Sequence, residues 1–348
     1  MGLSDALAWY QNVLRIRFIF RDVERIYFPL LAAVSVPLNV ITIVILSRGK
    51  CGLSRCVTGY LLAMASADLL VVIFDVIWRH IPILFREDFL FLQDVEVCNI
   101  HAALLFASTD CSVWFTVAFT FDRTVAICNQ KLKVKYCSEK TAATVVGTVT
   151  VLSCFKNIIW CFMYNRTYRF VNDPMFCGIE FSDPKLQLWA SLELAHYAVT
   201  PCAPFALILL LNIFTVRHIL VSSRARSRLR AHSKGESPRD PEMESRRRSI
   251  ILLFAVSGNF IVLWAVFTVT AILQRISHLD TIFTVPDYVP ELGFMLQLLS
   301  CSTNTGIYAV TQSKFRGQFK NVVTYPICLL TKLTKQCVDG GRLLNSSP

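Results

Sequence analysis

Charge is scarce in this chain. Only 17% of its 348 residues are charged, against 54% hydrophobic, and mean hydropathy is +0.50. That excludes a soluble domain of this size, which needs a polar surface around its core. Several patterns are missing as well. The apolar–polar alternation of a transmembrane barrel is absent. No internal repeat divides the chain into related halves, which argues against a transporter or channel. Zinc-protease, serine-hydrolase and nucleotide-loop patterns are absent, so an enzyme is not expected. No secretory signal stands at the start. Arg15, Arg17, Arg21 and Arg25 are scattered among apolar residues there, and no small-residue cleavage site follows a short apolar core. The first apolar block therefore reads as a retained helix.

What the chain does have is seven apolar blocks, near residues 27–47, 57–78, 96–128, 141–163, 188–219, 249–274 and 289–310. Each is long enough to cross a bilayer as a helix. The expected fold is an all-α membrane protein, a seven-transmembrane helix bundle over residues 26–311. Residues 1–25 read as an N-terminal tail, 312–323 as a short amphipathic eighth helix and 324–348 as a further tail. The third block sits at the centre. Polar residues such as Ser108, Thr109, Asp110 and Ser112 interrupt it and must face protein rather than lipid. Cys98 and Arg123 bracket it about 37 Å apart at 1.5 Å per residue, so they lie at opposite membrane faces.

The net charge of +11 would suit nucleic acid, but its placement does not. Segments on the Arg123 side hold 23 Lys and Arg, and those on the other side hold 10. That bias puts Arg123 in the cytoplasm and the N-terminus outside, although the four arginines of the N-terminal tail run weakly against it. Membrane lipids are expected partners and nucleic acid is not. Of the 13 cysteines, Cys98, Cys161 and Cys177 are the ones placed to reach the outer side. Oxidising conditions there favour a Cys98–Cys177 disulfide over two unpaired thiols. Asn165 opens a glycosylation sequon on the outer side; the sequon at Asn345 would lie inside and stay unmodified.

Ionisable residues in mid-membrane are costly, so each one needs a partner. Asp68 in the second block can draw on Ser112, Ser300 and Asn304. Those hard oxygens suit a small cation such as sodium, or a shared proton. Asp110 lies about 20 Å from the Arg123 end of its helix, and Lys156 lies about 22 Å from Thr141 at the same face. The matched depths predict a buried pair between them. Pro201 and Pro204 predict a kink in the fifth block. Glu193 and His196, nearer its outer end, could touch a ligand or snorkel to water, and snorkelling is the expected reading. The loop at 217–249 is basic at both ends and suits either anionic lipid or a cytoplasmic partner. Trp264 is placed too deep to be an interfacial anchor. Phe315 and Phe319, four residues apart with Lys and Arg between, make 312–323 amphipathic. Cys328 and Cys337 are candidate palmitoylation sites.

Asn39, LAMASAD ending at Asp68, the Cys98 to Asp122-Arg123 span, Cys177, Pro204, Trp264 and Asn304-Thr-Gly-Ile-Tyr308 succeed one another in order. Together they resemble the rhodopsin-like (class A) G-protein-coupled receptors. SADLLVV, DCSVWFTVAFTFDR, TVRHILVSSRAR and MLQLLSCSTNTGIYAV are similar, more narrowly, to orphan members called probable G-protein coupled receptor 139-like. The resemblance implies a plasma-membrane receptor with a heterotrimeric G protein as its inner partner. It implies that Cys98–Cys177 staples the outer loop to the third helix. Asp68, Ser112, Ser300 and Asn304 would hold an allosteric sodium ion, the one cofactor-like group implied. Val113, Pro204 and Phe260 would rearrange on activation beneath Trp264. Asp122 would restrain Arg123 until it meets the G protein, with Tyr308 swinging in to support it. Leu105, Phe106, Thr109 and Trp264 would line the ligand pocket. Leu105 stands where amine receptors carry an acid, so a small aromatic molecule or a peptide end is the expected ligand.

The departures from the family pattern concern activation more than fold. Thr124 comes after Arg123 where tyrosine is usual, Thr305 replaces a proline, and Val266 stands where a kinking proline succeeds the tryptophan. Trp160 lies beyond the usual place of the fourth-helix tryptophan. Arg246 replaces an acid that commonly faces the third-helix arginine, with Glu244 close by. Raised basal activity is one expected consequence. A receptor-like protein that binds ligand without coupling is the alternative.

Overall fold

A computed structural model describes residues 3–169, 177–178, 183–230, 241–279, 286 and 288–324. Cys328, Cys337 and residues 231–240 of the basic loop lie outside them.

Among the described residues, seven long helices carry the fold. α1 is Leu3–Ser47, α2 is Arg55–Leu84 and α3 is Cys98–Cys128. α4 is Glu139–Met163, α6 is Pro241–Leu279 and α7 is Tyr288–Thr311. α5 comprises Asp183–Tyr197 and Ala203–Arg230 with a π-helical join at Ala198–Cys202. The first six are long and apolar enough to cross a membrane; α7 is as long as a span needs but carries a row of Ser, Thr and Asn. Residues 313–324 are helical too, beyond a break at Gln312.

Polar side chains mark where helices start. Ser54 accepts from the Val57 amide at the head of α2, and Ser138 accepts from the Thr141 amide at the head of α4. Between α3 and α4, Asn129 caps a short helix, Gln130–Tyr136, in the same way. In the α1–α2 turn Gly52 has φ +69°, and a Cβ there would stand 2.6 Å from the Lys314 side chain. Gly52→Ala is expected to cost roughly 1–2 kcal/mol in left-handed backbone strain alone. Thermal melting of the variant checks this, and an unchanged midpoint would contradict it.

α3 packs against α2, α4, α5 and α6, while α7 packs on α1, α2 and most extensively on α6. Burial reflects that position. Val113, Phe119 and Thr120 of α3 are sealed inside, whereas Val151, Leu152, Phe155 and Phe162 of peripheral α4 are exposed. At the Arg123 end, Phe315 of the 313–324 stretch is fully buried and meets the Tyr308 ring edge-on at 5.9 Å.

Several helices differ from the apolar blocks, and α6, at Pro241–Leu279, overruns 249–274 at both ends. α1 begins at Leu3, so residues read as a tail extend the helix instead. α2 runs past residue 78 to Leu84 through a π-helical stretch, Val72–His80. The extra residue per turn re-aims the side chains beyond it. α5 is broken at Thr200, whose φ −142° and ψ 106° are extended. Pro201 disfavours the α conformation in the residue before it and cannot donate within a helix.

Candidate functional site

A cavity of about 320 Å³ opens between the helices at the Cys98 end. Leu105, Phe106 and Thr109 of α3 and Trp264 of α6 line it, as does Cys177. The Cys177 loop is held over α3 in three ways. Cys98 and Cys177 are disulfide-bonded, the Cys98 amide donates to Arg166 O at 2.8 Å, and the Asn165 amide donates to Gly178 O at 2.8 Å. Tyr168 pairs with Cys177 in an isolated antiparallel bridge, and burial pushes its phenol pKa up.

Glu193 and His196 do not snorkel. Both line this cavity, and Glu193 is buried. The His196 ring stands edge-on to Phe106 at 5.0 Å and to Trp160 at 5.5 Å. The aromatic wall holds it, and that contact replaces the water contact expected of an outer-end polar residue. Sequence reasoning missed the charged part of the wall. Asp75 and Arg79 of α2 line the cavity, 3.1 Å apart, with the Arg79 guanidinium 5.2 Å from the centre of the Phe294 ring. Asp75 inside an apolar run was the available signal; the π-helical stretch that re-aims it leaves none in the sequence.

Below the cavity Asp110 gathers an ion pair and two hydrogen bonds. Lys156 Nζ lies 2.6 Å from Oδ2, Asn157 Nδ2 donates to Oδ2 at 2.5 Å, and the Thr200 hydroxyl donates to Oδ1 at 2.5 Å. Asn157 also accepts from Trp160 Nε1 at 2.8 Å. The equal depths of Asp110 and Lys156 thus correspond to a direct contact. Thr200 joins because the break in α5 turns it inward, which no periodicity foretells.

Asp68 sits one layer further in. Ser112 Oγ donates to its Oδ1 at 2.5 Å, and Asn304 Nδ2 donates to its Oδ2 at 2.8 Å. Ser300 faces elsewhere, accepting from Trp264 Nε1 at 3.1 Å and donating to Gln297 O at 2.6 Å. The Cys301 thiol takes a place beside Asp68 that sequence reasoning gave to Ser300. Three of the expected four side chains thus meet, with both Asp68 oxygens accepting from Ser112 and Asn304. Trp264 stacks on Phe260 at 5.1 Å, and both share a core cluster with Val113 and Ile208. Pro204 is buried, but Ile208 is the α5 residue in that cluster.

At the Arg123 end, Arg123 pairs with Asp122 and reaches Ser249 Oγ of α6 at 3.4 Å. Asp122 also accepts from the Cys56 thiol at 3.2 Å, and its carbonyl accepts from the Cys137 thiol at 3.7 Å. Burial, then the Asp122 charge, pushes the Cys137 pKa up to about 11, so it stays a donor at neutral pH. Glu244 gives Arg123 no second acid. It pairs with Arg248 on its own exposed helix face at 2.5 Å, and Arg246 donates to Ile127 O at the end of α3 at 2.9 Å. Thr305, standing for the missing proline, bonds Thr42 of α1 at 2.8 Å. The Tyr308 hydroxyl is buried without a hydrogen-bond partner among the described residues.

Residues 38–308 match the family described as 7 transmembrane receptor (rhodopsin family). The chain belongs to that family. A curated relative, Probable G-protein coupled receptor 142 of Mus musculus, is 26% identical over 291 residues, which cover 80% of this chain and 69% of that protein. The receptor thus resembles an orphan-type relative of the same kind as the 139-like group named from its motifs, under a different number. Its family is one of multi-pass membrane receptors rather than enzymes, in keeping with its apolar helices.

Proposed function

We propose that this receptor lies in the plasma membrane with its N-terminus outside, binds an extracellular ligand in the cavity at the Cys98 end, and activates a heterotrimeric G protein at the Arg123 end. The observation that carries this reading is the placement of Trp264. It lines the cavity, stacks on Phe260, and bonds Ser300 on the helix that also brings Asn304 to Asp68. A ligand that favours one setting of Trp264 shifts the population of the whole bundle by its differential affinity for the two states. The inner ends of α5 and α6 open, Arg123 leaves Asp122 for the G protein, and Tyr308 moves in behind it. Pro204 and Val113 yield at the cluster around Phe260. A sodium ion, when bound by Asp68, Ser112 and Asn304, would supply charge neutralisation that favours rest. A cavity of about 320 Å³ with mostly aromatic and apolar walls suits a small aromatic molecule or a peptide end.

Residues 313–324 lie along the inner leaflet in this reading, where Cys328 and Cys337 would add palmitoyl anchors, and Asn165 carries a glycan outside. Arg123 lacks an acid on α6, so the resting state is weakly locked. Ser249→Glu would supply one and is expected to lower basal nucleotide exchange roughly fivefold, for an ion pair worth ~1 kcal/mol. Exchange assays in membranes compare the two, and equal basal rates would count against this arrangement. Once an agonist is found, Thr109→Trp should abolish its action by filling the cavity. An undiminished response in that variant would place the ligand elsewhere.

A further inference from the structure

A second cavity, of about 420 Å³, lies beside the first between the early part of α1 and the ends of α2 and α7 nearest Cys98. Its wall is rich in arginine. Arg17 and Arg21 of α1, Arg79 of α2 and Arg86 just beyond that helix line it. The described acids on its wall are Glu24 and Glu291. Asp75 stands behind Arg79 as a third. Four arginines thus stand beside three acids.

A buried ring nitrogen also lies at this cavity: among the described residues, Nε2 of His80 makes no hydrogen bond, although it lies 3.4 Å from Asp75. The remaining wall is apolar, with Leu14 and Phe18 from α1 and Leu84 from α2. Phe18, Arg17 and Arg21 are exposed in part as well as lining the cavity, and Ile19 beside them is exposed. Cations and apolar side chains together at the end of a membrane helix match a molecule with an anionic head and a hydrocarbon tail. Guanidinium groups suit that head because their planar forks take carboxylate or phosphate oxygens two at a time.

We infer that this cavity is a binding site for an amphiphilic anion, its carboxylate or phosphate head held by Arg21 and Arg86 with Arg17 and Arg79 and its tail lying along Phe18 and Leu84. The site is separate from the ligand cavity but shares Arg17, Arg79, Glu291 and Phe294 with it, so an occupant here would shape the wall of the first. A fatty acid from solution and an anionic lipid of the bilayer offer the same chemistry.

The test uses the full-length receptor in nanodiscs of neutral phosphatidylcholine, with labelled oleate as probe and oleyl alcohol as its uncharged counterpart. Its readout is equilibrium binding, which does not depend on G-protein coupling and so stands or falls apart from the proposed function. Saturable oleate binding is expected, with oleyl alcohol weaker by about tenfold or more. The double variant Arg21→Gln/Arg86→Gln should weaken oleate by a similar factor. Arg25→Gln, whose residue pairs with Asp22 and does not line this cavity, should leave it unchanged. Ligand-free melting of each variant separates lost binding from lost folding. If the double variant does not fold, Arg86→Gln alone is read the same way. Nanodiscs containing phosphatidylglycerol distinguish the sources: competition with oleate points to a bilayer lipid, and its absence to a soluble amphiphile. Equal binding of oleate and oleyl alcohol, or wild-type oleate affinity in the folded arginine variant, would overturn the inference.

Discussion

Lys156→Met should destabilise the receptor by about 3–5 kcal/mol, the cost of leaving a buried charge without its partner. Asp110 is 1% exposed and would keep only the Asn157 and Thr200 hydrogen bonds. Asp110→Ala should cost a similar amount for the opposite reason, since it strands Lys156, Asn157 and Thr200 together. The charge-swapped double variant Asp110→Lys/Lys156→Asp should recover part of the loss, because Thr200 can accept from an ammonium as readily as it donates to a carboxylate. Thermal melting of the solubilised receptor measures all three. Single variants as stable as wild type, or a swap that recovers nothing, would show that the pair does not hold α3 to α4. Signalling should suffer along with stability, because Thr200 lines the ligand cavity and Asp110 holds it in the broken turn of α5.

Cys98→Ser is the second large effect expected. The bond it removes spans 79 residues and fixes a loop that contributes to the cavity wall. Loss of such a cross-link typically costs about 2–5 kcal/mol. Here the backbone bonds at Arg166 and Gly178 would have to hold the loop alone. Ligand binding should fall more than folding does, since Cys177 touches the cavity while α3 is packed on four other helices. The free Cys177 thiol would also become available to alkylation. A Cys98→Ser receptor that reaches the cell surface and binds ligand like wild type would contradict this account of the loop.

The bundle is legible in the sequence because bilayer thickness forces apolar runs of fixed length, and because a buried charge demands a partner at its own depth. Counting turns is enough to match Asp110 with Lys156. The same grounds match Asp68 with Ser112 and Asn304, but a serine hydroxyl can turn to several acceptors, and Ser300 turns to Gln297. The features that stay hidden depend on irregular backbone. The π-helical stretch of α2 brings Asp75 and Arg79 to the cavity, and neither composition nor hydropathy records a register shift. Thr200 reads as an ordinary helical threonine until Pro201 breaks α5. The α1 extension escapes for another reason: arginines every few residues in an apolar segment look like a tail when the helix is judged only by the span it must make. Glu193 and His196 are misplaced by sequence reasoning because snorkelling is the default for polar residues near a helix end, and the ring stack of Phe106 and Trp160 is a tertiary fact.

The central claim is that this bundle passes a signal from the Cys98 end to Arg123. The most direct measurement is nucleotide exchange by each main class of heterotrimeric G protein in membranes carrying the receptor, beside membranes carrying Arg123→Ala at equal surface expression. The account predicts basal exchange above background for at least one class, because α6 presents Ser249 rather than an acid to Arg123, and its loss in the variant. Exchange that persists undiminished in Arg123→Ala, or none for any class from a correctly expressed receptor, would contradict it.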